Sequence, residues 1–523
     1  MKNLIIALLL TLLIPVWSCK KILDVESTRS VSEENMWNKL EDARAGLFGI
    51  YGLHRAALSD NGRHHIYGEV RMADFDGTTR DDFKAIHRNQ LNADFPLINQ
   101  LADWRRFYAT INAANIFLER IPEVKKQDPR YVDQTYNLDI AQAKALRAFS
   151  YFYITRIWGD VPLILSSHDG SFENKARDPQ DKVLAQAEQD LLEAEPKLPY
   201  VYDGGDPEQT GQYYSQPAST FDQGILMSKQ GVWAILANLY AWRGDYAKVA
   251  QYTQKIIDLG TVVDRFGGFR LDGAVFPLDA SQATKVFRGS ALTETRTKIV
   301  SVGRNWRSAE FSMSGCIEEY TMAEPLVTNR AIPVMYVPKD TLLSIYDESG
   351  DTRFGINPVT KAPTTEVWFT AYDKKYPLLR KILATNDQPT NGGVVTLPVQ
   401  FATFASALVF SRLDDNGLLL AEARAVLNDK TNAEIMLNKV RQRHGLPAYN
   451  PSKNGSLIDA IFKERRRELI GEGWRWYDII RYKKIKNDDV EFNKLIASGG
   501  IYWPIARTVL ANNPLLTQYP HWQ

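Results

Sequence analysis

Apolar residues return every three to four positions along much of this chain and lose that period in its middle. Four early stretches carry the helical period: Asp42–Leu58, Leu101–Ile121, Thr135–Trp158 and Pro179–Glu195. In the first, Ala45, Phe48, Tyr51 and Leu53 fall near one stripe. In the second, Trp104, Tyr108, Ile111, Ala114 and Leu118 are in phase. The fourth begins at a proline and stops before Pro196, where a fixed φ and a missing N–H favour helix boundaries.

The clearest unit is Lys229–Leu259, KQGVWAILANLYAWRGDYAKVAQYTQKIIDL. Trp233, Leu236, Ala237 and Tyr240 mark one helix, Gly244–Asp245 a tight turn, and Tyr246, Ala247, Ala250, Thr253 and Ile257 a second helix. Small residues at close spacing let two antiparallel helices approach, and the unit resembles a tetratricopeptide repeat. A weaker copy spans Gly417–His444, and Tyr136–Trp158 with Asp181–Leu198 suggests another. The copies are scattered rather than tandem, which points to helix pairs with large insertions rather than a regular solenoid.

From about Gly260 to Asp414 the chain is dense in Gly, Pro, Thr and short apolar runs such as Ala331–Pro338 and Val394–Phe401. A featureless loop of that length is improbable, so short strands and turns are expected there. The reading is therefore mainly α: tetratricopeptide-like helix pairs forming a scaffold, with a large irregular loop-rich insertion containing short strands. Residues 1–18 read as a leader, 19–40 as a tether, 41–260 as a helical part, 261–414 as the insertion and 415–523 as a C-terminal part of the same compact domain.

Charge narrows the function. Sixty-three Lys and Arg against 62 Asp and Glu leave a net charge of +1, so the electrostatic drive for broad nucleic-acid binding is missing. Two cysteines cannot build a disulfide scaffold or a cysteine-rich zinc site. His64, His65 and His87 share a polar stretch with Asp74 and Asp76, but their spacing matches no defined metal site. Asp347–Asp351 resembles a calcium loop only briefly, with a misplaced glycine and no closing glutamate. No P-loop, nucleophile elbow or zinc helix occurs. No cofactor or metal is expected.

The N-terminus sets the compartment. One basic residue, an apolar run from Leu4 to Val16 and then Trp17–Ser18–Cys19 read as a secretory leader, too short to span a bilayer. A cysteine directly after such a run resembles a bacterial lipoprotein box, with Trp17 a bulky departure. On that reading Cys19 is the lipidated residue, and two or more acyl chains anchor stably where one does not; a plain secretory leader followed by an incidental cysteine is the other reading. Cys316 is left as a lone thiol.

The segment Phe462–Arg481 reads FKERRRELIGEGWRWYDIIR. Glu464 and Glu468 lie one turn apart amid Arg465, Arg466 and Arg467. Gly471 and Gly473 then break the pattern before Trp474, Trp476 and Tyr477. On the residues alone, this is a helix, a glycine turn and an aromatic plug held by arginine–carboxylate pairs. It also resembles the C-terminal hallmark of the SusD/RagB family of Bacteroidetes through Glu464, Arg465, Glu468, Glu472, Gly473, Arg475, Trp476, Asp478 and Arg481. Tyr502–Trp503–Pro504–Ile505 and Asn513–Gln518 resemble the family's closing stretches, with Tyr519 where the family has asparagine. The likeness runs in order along essentially the whole chain.

What the resemblance implies is a non-enzymatic lipoprotein of the outer membrane, facing outward. It would bind oligosaccharide, or in some relatives peptide, and deliver it to a SusC-like TonB-dependent transporter. A glycoside hydrolase, which needs a placed carboxylate pair, and a purely structural repeat protein are the other readings.

Sugar rings have apolar faces edged by hydroxyls, which loop aromatics beside polar side chains suit. Arg304, Asn305 and Trp306 fit that description, as does Trp368 more weakly. The polar stretch Tyr67–Asn92 offers Tyr67, Asp76, Arg80 and Asn89; the resemblance implies that this position contributes to the pocket.

Overall fold

The computed structural model describes residues 36–167, 174–200, 202, 212–213, 216–217, 224–262, 277–287, 297–303, 315–384 and 404–523. Ten helices carry the frame: α1 (Leu40–Ser59), α2 (Arg105–Gln127), α3 (Asp133–Trp158), α4 (Gln180–Ala194), α5 (Lys229–Arg243), α6 (Tyr246–Val262), α7 (Leu413–Val426), α8 (Lys430–Arg443), α9 (Leu457–Glu468) and α10 (Arg475–Lys486). Neighbours in this order pack in succession from α2 to α8, and α1 lies across α2 and α3. The helix pairs that are scattered in sequence are therefore adjacent in space.

The α5–α6 hairpin shows why. Ser228 caps α5 by accepting from Gly231 N, and Gly244 ends it at φ 85, a left-handed conformation that glycine adopts without steric cost. All of α5 from Lys229 to Trp242 is buried, and one continuous apolar core runs through every helix of the frame.

Two readings of helix faces are corrected. On α1 the buried face is Ala43, Leu47, Ile50, His54, Ala57 and Leu58, whereas Ala45, Phe48 and Leu53 are exposed. Apolar residues occur on both faces of this helix, and packing against α2 and α3 selects the one that includes His54, whose ring lies 4.9 Å from Phe149. The stretch Leu101–Ile121 is not one helix: a short helix ends at Leu101, α2 starts at Arg105, and α2 continues through Pro122 to Gln127.

The described parts of the insertion hold short antiparallel ladders: β1 (Asp76–Gly77) with β3 (Met335–Tyr336), β2 (Lys298–Val302) with β8 (Leu408–Arg412), β4 (Phe354–Ile356) with β5 (Pro363–Glu366), and β6 (Phe369–Thr370) with β7 (Leu378–Leu379). The run Ala331–Pro338 contains β3; Val394–Phe401 lies outside the described residues. A satellite core of Cys316, Met322, Ala323, Leu326, Ala371 and Leu378, among others, sits beneath these ladders. Cys316 is buried in it as a packing residue. Among the described residues, no helix is long and apolar enough to cross a membrane.

Candidate functional site

The C-terminal signature supplies the rigid base. On α9, Glu464, Arg465, Arg467 and Glu468 are all fully buried. Arg353 reaches three carboxylates at once: Asp351 at 2.8 Å, Glu464 at 2.7 Å and Glu468 at 3.0 Å. Arg412 bonds Glu468 at 2.8 Å and Glu472 at 2.9 Å. Arg465 takes Asp478 at 3.0 Å, and Arg481 takes Glu422 at 2.9 Å and Asp478 at 2.8 Å. Burial by itself would raise Glu464, but Arg353, Arg467 and Arg441 outweigh it and hold that carboxylate below its ordinary range. Two of these links are local, Asp351–Arg353 within the insertion and Asp478–Arg481 within α10; the others join α9 and the turn after it to the insertion, α9 to α10, and α10 to α7. The motif is thus an ionic keystone that locks the insertion to the helical frame.

The glycine turn beside it docks the N-terminal part. A Cβ on Gly68 would lie 1.9 Å from the Gly473 carbonyl oxygen, so the two backbones meet where only glycine fits. Glu69 accepts from Gly473 N at 2.6 Å and Trp474 N at 3.0 Å. His64 lies 2.8 Å from both the Tyr153 hydroxyl and the Glu472 carbonyl, and burial holds it well below its ordinary range, neutral. His65 Nδ1 is 3.1 Å from Gly471 O, and His87 Nδ1 is 3.0 Å from Phe75 O. These imidazoles are spent on internal contacts. Asp347, Glu348 and Asp351 likewise serve arginines, Asp347 and Glu348 taking Arg467 and Arg441. Trp474, Trp476 and Tyr477 are buried, as the plug reading expects.

Two proposed ligand contacts are corrected by burial. Tyr67 is 1% exposed, with its hydroxyl donating to Leu101 O at 2.6 Å and its ring edge-on to Trp503. Trp368 is 0% exposed, donates from Nε1 to Ala280 O at 2.7 Å and lies under Lys381 Nζ at 4.4 Å. Neither ring can offer a face to a sugar. Asn89 is also turned inward, its Oδ1 accepting from Arg71 Nε at 2.9 Å. Arg304, Asn305, Trp306 and Cys19 lie outside the described residues.

Asp76 and Arg80 remain at the surface, where the structure adds partners that the sequence reading missed. In the β1–β3 ladder Asp76 stands directly opposite Tyr336. Thr78 fixes the end of the ladder, with N donating to Val334 O at 2.9 Å and Oγ1 to Pro333 O at 2.6 Å. Strand alternation buries Met335 and Val337 and leaves Tyr336 half-buried, facing outward. Its ring meets Tyr376 edge-to-face at 4.8 Å, and Lys375 Nζ lies 5.1 Å from the Tyr376 ring. Burial first, then the Asp76 carboxylate, raises the Tyr336 hydroxyl above its ordinary range, so it stays a protonated donor at neutral pH. Arg80 follows, with Nε donating to Asp82 at 3.1 Å and its guanidinium 4.9 Å over Phe83. The result is a surface strip of two tyrosine rings flanked by a carboxylate and an ammonium. It can stack against an apolar ring face and bond hydroxyls at its edges.

Comparison with known proteins agrees with this architecture. Residues 405–497 match the family model described as SusD family, and residues 23–210 match one described as "Starch-binding associating with outer membrane". A SusD superfamily protein of Bacteroides thetaiotaomicron VPI-5482 is 37% identical; the alignment covers 93% of this chain and 100% of that one, with a TM-score of 0.79. The SusD-like protein P38 of Formosa agariphila is 24% identical over 99% of this chain and 98% of its own. A laminarin-binding SusD-like protein shares the fold at 21% identity and a TM-score of 0.65, over 92% of this chain and 99% of its own.

Proposed function

The chain belongs to the SusD/RagB family, and from that premise we propose that it captures oligosaccharide at the cell surface and passes it to a SusC-type TonB-dependent outer-membrane transporter. Cys19 carries the lipid anchor in this reading, and the helical frame faces the transporter. The observation that carries the reading is the strip of Asp76, Tyr336, Tyr376 and Lys375, set on a base that the buried ion pairs hold rigid. Rigid tyrosines offer contact area at low entropic cost, which suits capture without chemistry. The description of the N-terminal family model and the laminarin-binding relative favour a glycan as the captured molecule.

A calorimetric screen of the chain lacking residues 1–19 against neutral glycans, acidic glycans and peptides tests this. Saturable heat with at least one glycan and no release of reducing ends is expected. Binding to peptides alone would replace the glycan with a peptide, and release of reducing ends would make the chain a hydrolase.

A further inference from the structure

A pocket lined by none of the strip residues opens where the chain turns from α1 towards the start of α2. Asn61, Arg63, Gln100, Asp103, Arg105 and Arg106 line a cavity of about 580 Å³. Two consecutive left-handed residues, Asn61 at φ 57 and Gly62 at φ 64, turn the chain so that Arg63 enters it. Gly62 is required there, since a Cβ would meet the Tyr320 ring at 2.6 Å.

Arg63 is only 3% exposed. Its Nη2 donates to Gln100 O at 2.8 Å, while its buried Nε and Nη1 have no hydrogen-bond partner. The neighbouring Tyr67 hydroxyl donates to Leu101 O, and its oxygen faces the Arg63 guanidinium as a neutral acceptor that brings no counter-charge. The rim carboxylates are taken by other cations: Asp103 accepts from Arg105 Nε at 2.8 and 3.0 Å, and Asp60 pairs with Arg106 at 3.1 Å. Among the described residues no carboxylate lies within ion-pair distance of Arg63. A buried guanidinium without a counter-charge is costly, and its fork geometry fits two oxygens of one anion.

We infer that this pocket binds a small oxyanion, held by Arg63 at its floor, with Arg105, Arg106 and the amides of Asn61 and Gln100 around it. The anion is either the carboxylate of an acidic saccharide or a free inorganic oxyanion, and both offer the guanidinium paired oxygens. The site is separate from the tyrosine strip, so it stands whether or not the strip binds glycan.

The test titrates sulfate, phosphate and glucuronate into the full-length chain in detergent, with chloride at matched ionic strength as reference, reading heat and melting temperature. Saturable binding of at least one oxyanion is expected, with a rise in melting temperature that chloride does not give. Arg63→Met, which removes the uncompensated charge at similar volume, should abolish that binding; Arg106→Gln on the exposed rim should weaken it about tenfold. Glucuronate binding more tightly than sulfate and phosphate assigns the site to acidic saccharide; the reverse order assigns it to the free anion. No saturable binding by any of the three, or the same affinity in Arg63→Met, overturns the inference. Should Arg63→Met fail to fold, an unchanged affinity in Arg106→Gln overturns it instead.

Discussion

Glu69 shows how far a single buried residue departs from what its letter suggests. Burial first, and then the nearby Asp74 carboxylate, push its carboxyl up to about 8, against the pull of backbone N–H donors at the glycine turn. An unfolded chain loses that proton near pH 4.5, so between about pH 5 and 8 only the folded chain holds it, and this contribution to stability falls as pH rises. Glu69→Gln cannot titrate. Its stability relative to the parent should rise from pH 5 to pH 8 in denaturant unfolding, and a pH-independent difference would refute this reading. Trp476 is the simpler case, a buried ring with the Arg71 guanidinium 4.7 Å from its centroid. Trp476→Ala should cost ~3–5 kcal/mol, checked by the same unfolding curves, through the cavity it leaves. Such plug residues are legible from sequence because glycines and aromatics cluster visibly. Tyr336 and Tyr376 are not, because one lies on β3 and the other between β6 and β7, and only the fold brings their rings together. Tyr67 and Trp368 mislead for a related reason: an aromatic beside polar residues reads as exposed until the tertiary partner of its polar tip is known.

At the scale of elements, the helix pairs are readable because their periods are long and their turns carry glycine, as at Gly244. The face of α1 is not, since both of its sides carry apolar residues and tertiary packing decides between them. The signature segment is half legible: its arginines and carboxylates announce ion pairs, but their partners Asp351, Arg353, Lys381 and Arg412 come from the insertion, which carries no periodic signal. The junction of Gly68 with Gly473 makes the N-terminal part and the signature segment one unit. Gly68→Ala forces the backbones apart and should cost about 3 kcal/mol or more, seen as a lowered melting temperature. A variant that melts with the parent would mean the junction is looser than its geometry.

For the molecule as a whole, the layout divides labour. The buried ion pairs and helix stack hold a stiff frame, and short ladders raised on it present the strip. Family membership and fold were both within reach of the sequence, since the hallmark residues occur in order along the chain. The ligand was not, because recognition rests on a few surface side chains gathered from distant segments. If Cys19 carries the anchor, Cys19→Ala should move the protein from the membrane to the soluble fraction on cell fractionation; continued membrane association would exclude that anchor. The most direct measurement of the central claim is the affinity of the parent and of Tyr376→Ala for the glycan that binds best. Capture by the strip predicts a loss of about tenfold or more, worth ~1.4 kcal/mol, with the melting temperature unchanged. Equal affinities would place glycan capture elsewhere on the molecule and contradict the account.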